Sequence, residues 1–408
     1  MKCLDWLPLG LLLALGASFF GSACIGWVLL QHGGFVVHDP LIVPRMSFGQ
    51  YLISRVFVWD AQWYDAIARV GYVWHPSVTE RQSLAFFPLW GLVIRPVYWV
   101  FRDHQQLWVM ALIVLVAFAS IALFLRLGRR LVGDRAAAAA TMLYAFFPAA
   151  HFLLQSYPTA LMNLIVLGVL HEMLAGRRWR PAWLAGIGSA AGPLMMVPGL
   201  TLWLVALWDQ RHRLRQISGI FSLFALGLIA IGGLLGFLAW QGFALHNPLA
   251  FLMAQTPWDQ PRGLAARALR FTWMLLILPD IYHIGRLTAD FVGMMRSGAY
   301  DPAFIRYEFA VNFLFMTLLM VGLFWTIAVK PRFILLYGAL AVLFYLWFHG
   351  STHNGLSTMR LLYICVPGFW GLGRALQREP VWAWGAIGLS VVTLVVQEVY
   401  SDIGELVL

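Results

Sequence analysis

Runs of about 20 apolar residues recur from one end of this sequence to the other. As a helix, each run is long enough to cross the roughly 30 Å hydrocarbon core of a bilayer. Backbone polar groups must find partners inside the bilayer, so spanning segments are helices or closed barrels. Only 11% of the 408 residues are charged, against about 25% in an ordinary soluble domain. The sequence therefore predicts an all-α polytopic membrane protein and excludes a soluble fold.

The positive charge of the chain is concentrated between the apolar runs. The formal net charge of +10 could indicate nucleic acid as a partner, but no nucleic-acid motif accompanies it. The basic clusters instead fit cytoplasmic loops. They lie at residues 126–135, 177–180, 211–215, 330–332 and 374–378. We therefore expect a membrane protein and no nucleic-acid partner.

Placing these clusters in the cytoplasm gives about ten crossings within one integral membrane domain, residues 1–408. Two long segments, residues 31–106 and 241–305, then lie outside. The apolar runs at 84–101 and 271–292 would break the alternation if they crossed, so they are predicted as juxtamembrane helices on the outer face. The run at 217–240 is expected to cross outward. The run at 182–208 is interrupted by Gly192-Pro193 and Pro198-Gly199, which predicts a hairpin of two half-helices.

The first external segment carries an amphipathic motif in residues 59–72 that begins with Trp59-Asp60. A helix that begins at Asp60 would have one apolar stripe, made of Trp63, Ala66, Ile67 and Val70. A carboxylate at a helix start can cap free backbone N–H groups, so Asp60 has a structural explanation as well as a chemical one.

The motif at 59–72, with Ala-Phe-Phe-Pro-Leu-Trp at 85–90, resembles the first-loop signature of the PIG-V type mannosyltransferase family. Residues 247–255 ahead of Trp258 resemble the second external loop of that family, and residues 357–360 resemble its late Ser-x-x-Arg element. Two features depart from the family pattern. Tyr157-Pro158-Thr159 stands where relatives often carry an acidic residue, and no arginine follows near Gly192-Pro193.

The resemblance implies a GT-C glycosyltransferase that moves a sugar, with mannose the first candidate, from a polyprenyl-phosphate donor on the external or lumenal side. It also implies that Asp60 is the base. The chemistry agrees, because inverting transfer needs a carboxylate to take the acceptor proton and cations to stabilise the departing phosphate. Arg360 is the first choice for the phosphate. The other residues predicted to contact substrate are Gln62, Trp63, Tyr64, Gln255, Trp258, Arg270 and His353.

Neither a cofactor nor a metal is predicted. The three cysteines stand at no metal-like spacing, and Asp65, the nearest carboxylate to Asp60, is expected to be a solvated helix residue. The expected partners are membrane lipid, a polyprenyl-phosphate sugar and a glycan, lipid or protein acceptor. The expected location is a bacterial inner membrane with the active site on the periplasmic side.

Two other functions remain open at this point. The broken helices would suit a secondary transporter or flippase. A non-catalytic scaffold subunit would explain the missing acidic residue near Tyr157, but it leaves the Trp59-Asp60 motif unexplained. Release of free polyprenyl phosphate together with transfer of the sugar separates these hypotheses.

Overall fold

The computed structural model describes residues 2–32, 41–42, 46–77, 79–258, 302–348 and 358–402. Within them the regular elements are helices and no strand occurs, which confirms the all-α prediction. The helices up to the first basic loop are α1 (Lys2–Asp5), α2 (Leu7–His32), α3 (Phe48–Val56), α4 (Ala61–Arg69), α5 (Pro88–Val100) and α6 (Gln105–Val132).

The remaining helices follow the first basic loop. They are α7 (Asp134–Ala145), α8 (Thr159–Leu174), α9 (Trp179–Ser189), α10 (Met196–Asp209), α11 (Ile217–Ala230), α12 (Gly232–Leu245), α13 (Ala250–Ala254), α14 (Pro302–Trp325), α15 (Phe333–Phe348), α16 (Thr358–Leu362), α17 (Val366–Leu376) and α18 (Pro380–Asp402). Short 3-10 segments occur at Ser83–Ala85, Pro148–Leu153, Pro193–Met195, Arg211–Arg215, Thr256–Trp258 and Thr326–Ala328.

Three helical stretches of the described chain are long and apolar enough to cross a bilayer: Leu7–Gln31, Gln105–Val132 and Val381–Glu398. A fourth would be the pair α11 and α12, which bend by 67° at Ile231. The run at 217–240 is therefore broken into two helices, and its outward crossing stays a prediction. The break lies beside Gly232-Gly233, where α9 approaches so closely that a Cβ on Gly233 would overlap Ala190. The count of about ten crossings stays a prediction.

The interrupted run at 182–208 forms the predicted hairpin. Helix α9 ends at Ser189, a 3-10 turn covers Pro193–Met195, and α10 begins at Met196. Gly192 joins the two arms with a φ of 144°, a backbone conformation that residues with a Cβ rarely adopt. The tip of this hairpin accepts a hydrogen bond at the Ala190 carbonyl from the Leu89 backbone N–H, 3.0 Å away, at the start of α5.

Helix α17 is held at short range by α14 and α7. A Cβ on Gly371 would overlap the carbonyl oxygen of Gly322 in α14, and a Cβ on Gly373 would overlap the carbonyl oxygen of Ala136 in α7. Small residues allow such close backbone approach in membrane proteins. Because α16 is separated from α17 by only Tyr363 to Cys365, this packing also fixes the position of α16.

Candidate active site

The turn ahead of α4 directs the Asp60 carboxylate away from its own helix. Trp59 has a φ of 53°, in the left-handed region that non-glycine residues rarely adopt. Asp60 follows with a helical φ of −64° and is the N-cap residue of α4, yet its side chain makes no capping hydrogen bond. The capping explanation for this carboxylate is therefore wrong.

The Asp60 carboxylate is paired with Arg360, which lies 300 positions later in the sequence. Arg360 Nη1 donates to Asp60 Oδ2 over 2.9 Å, and the two side chains are 17% and 22% exposed, respectively. The guanidinium carbon lies 5.3 Å from the centre of the Tyr157 ring and 5.5 Å from that of Phe152. A charge-assisted pair this far from bulk water is stronger than an exposed one. Arg360 is therefore held by one carboxylate and two aromatic faces.

Tyr157 also fixes the backbone at Asp60. The Asp60 N–H donates to the Tyr157 hydroxyl over 3.1 Å. Burial raises the pKa of this phenol well above its usual value, and the nearby charge of Asp60 raises it further. The hydroxyl therefore keeps its proton at neutral pH and can still donate a hydrogen bond.

Asp60 and Arg360 open onto a cavity of about 160 Å³. Its lining combines one ion pair, aromatic rings and the tip of the α9–α10 hairpin. The lining residues are Asp60, Tyr64, Ala85, Phe86, Phe87, Tyr157, Pro158, Thr159, Met162, Ala191, Gly192, Pro193, Leu194, Gln255, Arg360, Leu361 and Ile364. Six separate stretches of the chain thus converge on one partly enclosed polar centre.

Four of the residues predicted from the sequence line this cavity: Asp60, Tyr64, Gln255 and Arg360. The Gln255 amide donates to the Ala85 carbonyl over 3.3 Å, which ties the start of the second external segment to the first. Gln62 and Trp63 do not line the cavity. The Trp63 ring stacks on Phe86 with the ring centres 5.8 Å apart, so it supports the cavity wall from behind.

Three of the other predictions fall wholly or partly outside the described residues. Arg270 and His353 lie outside them. For Trp258 only the backbone is described, at the end of the Thr256–Trp258 turn. Their roles stay predictions.

The buried face of α4 differs from the predicted stripe. Its buried residues are Ala61, Tyr64, Ile67 and Ala68, whereas Val70 is 72% exposed. Only Ile67 belongs to both sets; it packs against α5, where a Cβ on Gly91 would overlap its side chain. Tyr64, on the buried face, lines the cavity.

Asp65 lies on the same helix but outside the cavity lining. Its carboxylate accepts hydrogen bonds from the Tyr98 hydroxyl and from Arg69 Nε, the latter over 2.8 Å. The prediction that it is a solvated residue was therefore incomplete, because Tyr98 ties it to α5 and Arg69 pairs with it on α4.

Sequence reasoning missed two members of the site. Tyr157 was noted only as a departure from the family pattern, and Phe152 carried no signal in an apolar stretch. Both are placed by the 3-10 segment Pro148–Leu153 that follows α7. The prolines at 148 and 158, either side of this segment, were the available sign that the run does not continue as a helix.

The chain was compared with known proteins. A family model described as Mannosyltransferase (PIG-V) matches residues 40–245, just over half of the chain. No curated protein matches. Among solved structures, the chain is similar to that of ArnT from Cupriavidus metallidurans bound to undecaprenyl phosphate, with a TM-score of 0.43 and 17% sequence identity. The match covers 92% of this chain and 62% of ArnT, so this chain spans less than two thirds of the length of that protein.

Proposed function

Because this chain belongs to the mannosyltransferase (PIG-V) family, we propose that it is a membrane glycosyltransferase of GT-C fold that uses a polyprenyl-phosphate sugar as donor. It transfers the sugar, which we take to be mannose, to an acceptor hydroxyl. The observation that carries this proposal is the pair of Asp60 and Arg360 at the wall of a cavity.

The two side chains supply complementary parts of an inverting transfer. The acceptor oxygen forms a bond to the anomeric carbon while the bond from that carbon to the phosphate oxygen breaks. Asp60 takes the acceptor proton, and the polyprenyl phosphate leaves with the bonding electron pair. Arg360 stabilises the charge that develops on the phosphate, since a guanidinium binds phosphate oxygens in pairs.

The ion pair of Asp60 and Arg360 is the basis for a proposed order of events. An arriving phosphate competes with Asp60 for Nη1 of Arg360 and can also accept from the other N–H groups of the guanidinium. As the phosphate takes over Nη1, the carboxylate is freed to accept a proton. The rings of Phe152 and Tyr157 keep the guanidinium in place through this exchange.

An apolar groove next to the cavity supports a lipid-linked donor. The groove has a volume of about 560 Å³. It begins at Met196, two positions after the cavity residue Leu194 on the same hairpin. Its lining residues are Met196, Gly199, Leu200, Trp203, Leu207, Leu214, Ile220, Leu223, Phe224, Gly227, Leu228, Ala230, Ile231 and Phe344. A phosphate at Arg360 and a hydrocarbon chain in this groove would match the two halves of such a donor.

The activity test is a transfer assay with purified protein, a synthetic polyprenyl-phosphate mannose and a mixture of acceptors. Free polyprenyl phosphate together with a glycosylated acceptor is the expected result. The competing hypothesis is a flippase, which the hairpin tip in the cavity wall favours because broken helices are common in transporters. A flippase would move the intact donor across proteoliposomes without releasing polyprenyl phosphate, and that result would replace our proposal.

We further propose that the site faces the periplasm of a bacterial inner membrane, because the basic clusters mark the other side. After replacement of the three native cysteines, a cysteine placed next to Asp60, Trp258 or His353 should react with an impermeant thiol reagent added outside. A cysteine at Arg213 should stay protected. If only the Arg213 position reacts, the orientation is inverted.

We also propose that the transfer needs no divalent metal. Asp65, the nearest second carboxylate in sequence, is occupied by Arg69 and Tyr98. Turnover should therefore be unchanged after treatment with EDTA. Loss of turnover that magnesium or manganese restores would contradict this.

A further inference from the structure

A second buried charge lies just before the Asp60 turn, and the proposed transfer does not use it. Arg55, in the last turn of α3, is 1% exposed. Its Nη1 donates to the Phe19 carbonyl over 2.8 Å and lies 3.5 Å from the Ser22 hydroxyl. The guanidinium also lies over the Phe19 ring, 4.2 Å from its centre. Three contacts to α2 therefore anchor this side chain.

A buried carboxyl group from α18 contacts the same face of α2. Glu398 is fully buried, and its Oε2 accepts a hydrogen bond from the Ser18 hydroxyl over 2.5 Å. Ser18, Phe19 and Ser22 lie on adjacent turns of α2, so this helix brings Glu398 and Arg55 near each other. An ionisable group buried in a membrane protein is costly unless it is paired, so residues of this kind usually have a role.

The backbone that carries Arg55 is joined to the segment that carries Tyr157. The Arg55 carbonyl accepts from the Gln155 amide over 3.3 Å, and the Val56 carbonyl accepts from the Ser156 N–H over 2.7 Å. Four residues further on, the Asp60 N–H donates to the Tyr157 hydroxyl. The turn with the left-handed Trp59 is thus held at both of its ends.

We propose that Arg55, anchored on α2 through Phe19 and Ser22, is a positioning residue that fixes the Asp60 turn at the angle the transfer requires. This inference rests on the proposed role of Asp60 as the base. Arg55 does not line the cavity, and we expect it to act through the turn. A misplacement of about 1 Å at a reacting group can cost on the order of 100-fold in rate, so a small movement of this turn is sufficient.

The test uses a double variant, Arg55→Met with Glu398→Met, because removal of both charges leaves neither one buried and unpaired. The matched control is Ser120→Ala, which removes a buried hydrogen bond to Tyr144 elsewhere in the core. The double variant should keep a melting temperature close to that of the wild type, lose about 10–100-fold in kcat, and keep its donor KM within about twofold. Ser120→Ala should keep its kcat.

Two further measurements separate positioning from a general loss of structure. In the Asp60→Asn background the double variant should cause little further loss of kcat, because the group that Arg55 positions no longer works. Hydrogen–deuterium exchange of residues 57–61 should rise in the double variant while that of the hairpin tip at 189–194 stays unchanged. The single variant Arg55→Lys should show exchange at 57–61 between that of the wild type and that of the double variant, since lysine keeps the charge but not the planar fork.

An unchanged kcat in a folded double variant, a full additive loss in the Asp60→Asn background, or unchanged exchange at 57–61 would overturn the positioning role. If exchange rises as expected but the wild type releases no polyprenyl phosphate, Arg55 does hold the turn and the proposed function is wrong instead.

Discussion

The cavity at Asp60 and the interface of α17 with α14 share one short stretch of chain, since Arg360 of α16 lies at the cavity and Gly371 of α17 lies at the interface. The two regions are nevertheless stabilised in different ways. At the interface, Gly371 and Gly322 allow the two backbones to touch, and the contact carries no charge. At the cavity, Arg360 in the preceding helix α16 pairs with a carboxylate from a distant segment. Close packing determines where the arginine is, whereas the ion pair determines what it can do.

This difference separates stability from chemistry. Changes in the cavity should alter turnover while the protein stays folded, and changes at the glycine interface should alter stability before they alter turnover.

The largest effect is expected from Asp60→Asn. The amide keeps the shape of the side chain but cannot take a proton, so kcat should fall by about 10²–10⁴-fold while the protein still folds. Donor binding should be kept or strengthened, because the amide no longer competes with the phosphate for Arg360. The measurement is kcat of the purified protein, with donor binding measured in parallel. Asp65→Asn is the matched control, because it makes the same substitution on the same helix outside the cavity. Near-normal turnover of Asp60→Asn would require another base, with Asp65 the next candidate.

Arg360→Ala should affect donor binding and rate together. A hydrogen bond to a charged group contributes about 1.5–3 kcal/mol, so kcat/KM for the donor should fall by roughly 10–100-fold. Arg360→Lys should retain only part of the wild-type kcat/KM, because lysine supplies charge without the planar fork. Arg378→Ala provides the control, since this arginine is exposed and lies 5.7 Å from the Trp325 ring, away from the cavity. A change in kcat with an unaltered donor KM would contradict phosphate binding by Arg360.

A substitution at the interface should show the opposite pattern. Gly371→Ala places a methyl group against the Gly322 carbonyl, and overpacking of this kind costs about 1–3 kcal/mol. The apparent melting temperature should fall, while kcat measured well below that temperature should change little. Gly388→Ala in α18 is the control: no atom lies within 4 Å of its added Cβ, and alanine is the better helix former. Equal melting temperatures for the two variants would mean that α14 and α17 are not closely packed.

The sequence predicted which residues belong to the site better than it predicted their geometry. The motif at 59–72 and the resemblance to a family were sufficient to nominate Asp60 and Arg360 as members of one site. Their direct contact could not be predicted, because it joins residues 300 positions apart through the packing of α16 and α17. The apolar stripe of α4 shares only Ile67 with the buried face, because burial of this helix is determined by its tertiary neighbours and not by apolarity alone.

The hairpin illustrates the same limit. Gly192-Pro193 predicted the break from local chemistry alone, because proline ends a helix and glycine accepts an unusual φ. That the break would lie in the cavity wall depends on the contact of Leu89 with Ala190, which no local pattern contains. Tyr157 and Phe152 were missed for this reason, as both reach Arg360 through tertiary packing.

The smallest expected effect tests whether the apolar groove belongs to the cavity or to the packed scaffold. Ile220 lines the groove and its neighbour Phe221 does not, yet they are 54% and 66% exposed. Ile220→Trp should therefore fold as well as Phe221→Trp while it fills part of the groove. If the donor chain lies there, Ile220→Trp should lower kcat/KM about 3–10-fold for a long polyprenyl donor, a loss of roughly 1 kcal/mol, and leave a donor with one or two isoprenoid units unaffected. The measurement is the ratio of kcat/KM for the two donors in each variant. Phe221→Trp is the control, because it places the same ring on the same lipid-facing helix. An equal ratio of kcat/KM in both variants would show that the groove holds ordinary membrane lipid. The donor site would then consist of the charged cavity alone.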